Sequence, residues 1–143
     1  RKIKELKKLK ELEELKPIVL TMTQSFKDII AWQKAHSFVL QVYKATRQFP
    51  DEERFGLSSQ FQRAAVSIPA NIAEGYRKLS QADKLRFLNI SQGSLEECRY
   101  YILLARDLNY ITTDCYNELT MSIEDVSRLL NAYSKGIIEK RFV

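Results

Sequence analysis

At 143 residues, with 45% hydrophobic and 29% charged content, the chain has the size and composition of one globular domain that folds without disulfides or metal. No apolar run approaches the ~20 residues of a membrane span and no signal-peptide pattern opens the chain, so a cytoplasmic location without a membrane partner is expected. The formal net charge is +5, but residues 1–16 hold seven Lys or Arg and four Glu, leaving only +2 for residues 17–143. A domain built to hold phosphates usually concentrates more basic charge than that.

Residues 1–16 use only Arg, Lys, Ile, Glu and Leu. These are strong helix formers of the kind that designed helices favour. Ile3, Leu6, Leu9, Leu12 and Leu15 recur every third position, a stripe that drifts about 60° per step on an α-helix and so faces more than one neighbour. Pro17 ends or kinks the helix, and Thr21-Met22-Thr23-Gln24 reads as a natural start. Residues 1–21 are therefore expected to be an engineered charged helix and junction that meets a second designed component. Residues 22–143 are then the native bundle domain. A natural charged leader helix is the alternative. Without Met at position 1, the chain is expected to be processed or preceded by further residues.

The first native helix is predicted over about 28–48, where Trp32, Ala35, Val39, Val42, Thr46 and Phe49 repeat at three and four. Phe49-Pro50 breaks it, and Asp51 is placed to cap a second helix over about 52–78. There Leu57, Phe61, Ala65, Ile68 and Ile72 form the apolar stripe, with Ser58, Ser59, Ala64, Ser67, Ala70 and Ala73 between them. Such small side chains let helices approach closely. Pro69 cannot bond to the carbonyl of Ala65, so a bend is expected, and Gly75 is placed to close the helix.

Ser80-Gln-Ala-Asp83 opens a third helix, in a capping-box-like pattern, as far as Asn109. Leu85, Leu88, Leu95, Cys98, Ile102, Ala105 and Leu108 mark its inner side. Gly93 lies mid-helix, where glycine costs about 1 kcal/mol against alanine, so close contact with another helix is expected there. Thr112 or Thr113 caps the last helix, where Tyr116, Leu119, Ile123, Val126, Leu130 and Tyr133 form a heptad seam. Short connections make the fold all-α: an antiparallel up-down-up-down four-helix bundle with an additional N-terminal helix.

Catalytic, metal and cofactor sites are not expected. The paired carboxylates Glu52-Glu53, Glu96-Glu97 and Glu124-Asp125 point about 100° apart on a helix. His36 stands alone, and Cys98 and Cys115 read as reduced thiols rather than a disulfide. Phosphate loop, nucleophile elbow and di-iron motif are all missing. Arg63, Ser67, Asn71 and Glu74 share one stripe, and Glu97 can face Arg63 from the next helix. These five read as a polar network fixing the register of helices 2 and 3, with a ligand or RNA-backbone site as the alternative. Seven tyrosines (43, 76, 100, 101, 110, 116 and 133) are too many for one core and, with the small-residue faces, favour a homo-oligomer.

Phe49-Pro50, Phe55-Gly56-Leu57, Arg63-Ala64-Ala65, Ser67-Ile68, Asn71-Ile72-Ala73-Glu74-Gly75 and Gly93-Ser94-x-x-Glu97, with Trp32-Gln33-Lys34-Ala35 before them, form a specific pattern. It resembles the bacterial four-helix-bundle proteins encoded by intervening sequences within 23S rRNA genes, and covers about Phe26 to Tyr133. It is also similar to the accessory protein of diversity-generating retroelements. The resemblance implies a ring-like homopentamer without catalytic residues, and the retroelement relative implies binding to nucleic acid and a reverse transcriptase.

The expected function is thus a non-enzymatic, self-assembling scaffold, serving as a building block if residues 1–21 are designed. The alternative is an RNA-binding accessory protein in which Arg63, Arg77, Lys78, Lys84 and Arg86 contact phosphates.

Overall fold

The computed structural model describes residues 1–11 and 24–139. Among them every regular element is helical. Residues 2–11 form the first helix (α1), and all of residues 1–11 are exposed. Leu12, Leu15, Pro17, the Thr21-Met22-Thr23 string and the division after residue 21 lie outside the described residues.

A 3-10 turn over Phe26–Asp28, capped by Ser25 Oγ accepting from the Lys27 amide, leads into α2 (Ile30–Thr46). The remaining helices are α3 (Leu57–Arg77), α4 (Gln81–Asp107) and α5 (Thr113–Ile138). Two predicted caps form. Ser80 Oγ accepts from the Asp83 amide at 3.1 Å, and Thr112 Oγ1 from the Cys115 amide at 3.1 Å, each occupying an otherwise unpaired first-turn donor.

Other expectations need correcting. Asp51 does not cap α3. Asp51–Glu53 is a separate 3-10 turn, and α3 starts six residues later than Asp51, behind Gly56, with no side-chain cap. Three consecutive acidic residues suit a free turn better than the body of a helix. Asn109 ends α4 in the left-handed conformation (φ 59°), with the Tyr110 amide reaching back to the Ala105 carbonyl at 2.9 Å. As expected, α3 continues through the buried Pro69 to Arg77.

Each long helix packs against two others, in the closed order α2–α3–α4–α5–α2. Direction follows from the bonds between them. From Lys84 to Ser91 to Ser94, partners on α3 step back from Tyr76 to Ile68 to Ser67, so α3 and α4 are antiparallel. Gln81, Gln92 and Arg99 likewise meet Ile137, Asn131 and Glu124 on α5. The core between them includes Phe38, Phe61, Ile68, Ile72, Leu88, Leu95, Leu119 and Leu130, all fully buried. The α5 seam reads as the heptad predicted: Leu119, Ile123, Val126 and Leu130 are buried, with Tyr116 and Tyr133 packed at its ends.

Most tyrosines belong to this core rather than to the surface. Tyr76, Tyr101, Tyr110, Tyr116 and Tyr133 pack against it, and only Tyr43 and Tyr100 stand well exposed. The amphipathic ring allows this, since its body fills a gap while the hydroxyl stays near solvent. Cys98 is buried and Cys115 half-buried, both as free thiols. Burial pushes both thiols up, Cys98 furthest, with Glu97 adding to it. Because the thiolate is the reactive form, an aromatic disulfide reagent near pH 8 should titrate Cys115 and leave Cys98 intact until denaturant is added. Equal rates in the native protein would contradict that packing.

Candidate functional site

The closest helix pair is α3 with α4, and glycine and serine make it close. Gly75 is buried. A Cβ on it would lie 3.2 Å from the Lys84 carbonyl oxygen and 3.2 Å from Phe87 Cβ. Gly75 is thus the contact glycine of the seam, two residues before the end of α3, rather than a residue that closes the helix. Across the same seam the fully buried Ser91 Oγ donates to the Ile68 carbonyl at 2.9 Å. A buried hydroxyl must find such a partner, and this one locks α4 against the turn that contains Pro69.

The five stripe residues separate into three environments. Ser67 and Asn71 form a chain with Ser94: Ser94 Oγ donates to Ser67 Oγ at 2.8 Å, and Asn71 Nδ2 donates to Ser67 Oγ at 3.0 Å and to the Ser67 carbonyl at 2.8 Å. Glu97 is exposed and accepts from the Tyr101 hydroxyl at 3.2 Å, which also reaches Gln60 Oε1 at 3.4 Å. Arg63 and Glu97 line one shallow groove together, without an ion pair between them. Arg63 and Glu74 are exposed. The seam is therefore held by short neutral side chains, and its charged members sit on the rim. Ser91, Ser94 and Tyr101 are the members that sequence reasoning missed. Ser91 carried a usable signal, lying three residues before Ser94 and hence on the same helix face.

The five candidate phosphate contacts also divide. Arg77 and Lys78 end α3, and Arg86 lies in the second turn of α4. Lys78 Nζ and the Arg86 guanidinium each lie 4.9 Å from the Phe87 ring centre, a cation–π arrangement that holds two positive charges around one aromatic ring. Lys84 is directed elsewhere: Nζ donates to the Tyr76 carbonyl at 2.7 Å and approaches the Gly75 carbonyl, capping α3. Partial burial pushes its pKa down. Arg63 lies fourteen positions before Arg77 on α3, about 21 Å along the axis.

The outer face of α4 differs from its seam. Gly93 is exposed, and a Cβ added to it would meet nothing within 4 Å. Among the described residues no helix contacts Gly93, contrary to expectation. Around it lie exposed Ile90, Tyr100 and Leu103, with Tyr100 one heptad away on the same line. On the far flank Arg99 makes two 2.9 Å bonds to the Glu124 carboxylate and a third contact to Glu96, tying α4 to α5. The Glu124 bond raises the Arg99 pKa, against a smaller opposing effect of burial. At the surface such a pair contributes up to about 1 kcal/mol. Among the described residues no cluster of His, Cys, Asp or Glu gathers to hold a metal, and no helix is long and apolar enough to cross a membrane.

Antiparallel helices closed around one core, preceded by a charged N-terminal helix, define an all-α bundle whose closest contact is a small-residue seam. The chain belongs to the 23S rRNA-intervening sequence protein family, whose sequence model matches residues 27–132. It is similar to a protein of unknown function from the S23 ribosomal protein family of Bacteroides thetaiotaomicron, with 27% identity and a TM-score of 0.69. The match covers 74% of this chain and 99% of that one. No curated protein matches the sequence. Both likenesses support the resemblance read from the Ser-Ile-x-x-Asn-Ile-Ala-Glu-Gly string.

Proposed function

We propose that this protein is a non-enzymatic assembly subunit that closes with copies of itself into a ring, five being the number the family resemblance favours. The observation that carries the reading is the open face at Gly93. A mid-helix glycine costs about 1 kcal/mol against alanine, and nothing among the described residues makes use of its missing side chain. Exposed Tyr100, with Ile90 and Leu103 flanking it among the exposed Asn89, Glu96 and Glu97, gives that face an aromatic and aliphatic surface that a helix from a second copy can cover. Free thiols fit a reducing, cytoplasmic setting. If residues 1–21 are a designed extension, their exposed Ile3, Leu6 and Leu9 offer a second interface to another component.

Light scattering after size exclusion tests this. Five subunits of 16.7 kDa are expected in each particle, and a single-subunit mass at micromolar concentration would contradict the proposal.

RNA binding is the second reading, supported by Lys78 and Arg86 around Phe87 beside the fully exposed Leu79. A ring repeats that cluster, so a nearly neutral subunit gains a basic rim. The affinity for structured RNA should then fall steeply with salt.

A further inference from the structure

At the opposite end of α3 from that cluster, the corner between α2 and α3 encloses a groove of about 560 Å³. Arg47, Arg54 and Arg63 line it against a single carboxylate, Asp51. The Arg47 and Arg63 side chains make no ion pair or hydrogen bond among the described residues, and the Arg54 guanidinium only lies over the exposed Phe55 ring. The groove also meets the N-terminus of the 21-residue helix α3, whose cap Gly56 supplies no side-chain acceptor. The first-turn amides of Leu57, Ser58 and Ser59 have no backbone acceptor among the described residues. Ser58 is the decisive member. Its residue is only 8% exposed and its hydroxyl makes no hydrogen bond, yet the side chain is not sealed off from solvent and lines the groove. A hydroxyl that reaches solvent in the groove and has no partner among the described residues is free to donate to a ligand atom.

We propose that this groove binds a phosphoryl group. Free amides at a helix N-terminus favour an anion, planar guanidinium groups match phosphate oxygens two at a time, and the Ser58 hydroxyl adds a neutral donor. The inference is independent of the assembly reading and uses none of the residues at Gly93. The phosphoryl group belongs to a free phosphate compound or to a nucleic-acid strand, and both present the same oxygens.

Calorimetric titration of the full chain in a chloride buffer of low ionic strength, with inorganic phosphate as probe, tests the site. Saturable binding is expected, weakened about tenfold by Arg54→Gln and several-fold by Ser58→Ala. Arg77→Gln, in the distant cluster, should leave it unchanged. A second arm compares 5′-phosphorylated and 5′-hydroxyl forms of one short oligoribonucleotide. Preference for the phosphorylated form assigns the groove to terminal phosphates, equal Arg54-dependent binding assigns it to strand phosphates, and phosphate binding without either assigns it to small compounds. No saturable phosphate binding, or equal losses with Arg77→Gln and Arg54→Gln, would overturn the proposal. If Arg54→Gln unfolds, Ser58→Ala with unchanged melting carries the test.

Discussion

Gly75→Val is expected to destabilise the folded chain by about 2–3 kcal/mol, because overpacking a closed contact forces backbone or side chains apart. The added Cβ alone would sit 3.2 Å from the Lys84 carbonyl oxygen, which is backbone and cannot swing aside. Valine adds two methyl groups on that Cβ to the same space. Gly93→Ala is the matched control. Its Cβ enters open space, so an isolated subunit should gain up to about 1 kcal/mol from helix propensity. Denaturant titration reads both. Equal effects at the two glycines would mean that the α3–α4 seam is not closed by small residues.

The second large effect concerns assembly. Gly93→Arg places a long cationic side chain on the face that the ring reading covers, without touching the core of its own subunit. Arginine is a good helix former, so helicity by circular dichroism should stay unchanged. Particle mass should fall to that of one subunit. An unchanged mass would show that copies meet elsewhere, and a loss of helicity would show that the face belongs to the subunit's own fold.

The helices were largely legible in the sequence, since apolar spacing reports burial directly. Leu57, Phe61, Ala65, Ile68 and Ile72 are all buried as their stripe requires, and so are Leu119, Ile123, Val126 and Leu130. Caps were legible where a hydroxyl does the capping, at Ser80 and Thr112. At Asp51 the sequence offered a good cap and a good turn residue at once, and local spacing does not choose between them.

The glycines show most clearly what spacing leaves out. Gly75 and Gly93 are both helical, but one is sealed by α4 and the other open. A glycine has no side chain to place in an apolar pattern, so only the packed partner reveals its role. Charged stripe residues fail similarly. Arg63, Glu74 and Glu97 lie at seam spacing, yet long side chains reach solvent from the rim while Ser67, Ser91 and Ser94 fill the interior. The arginine groove drew no signal because Arg47, Arg54 and Ser58 come from a helix end, a turn and the next helix start, which share no period.

Hydroxyl-radical footprinting of the unaltered protein across a dilution series puts the outer surface of α4 to the most immediate trial. Tyr100, 58% exposed in the single chain, should be shielded at high concentration and regain reactivity on dilution, while Met121, 75% exposed on α5, reacts throughout. Full oxidation of Tyr100 at every concentration would mean that no second copy covers Gly93.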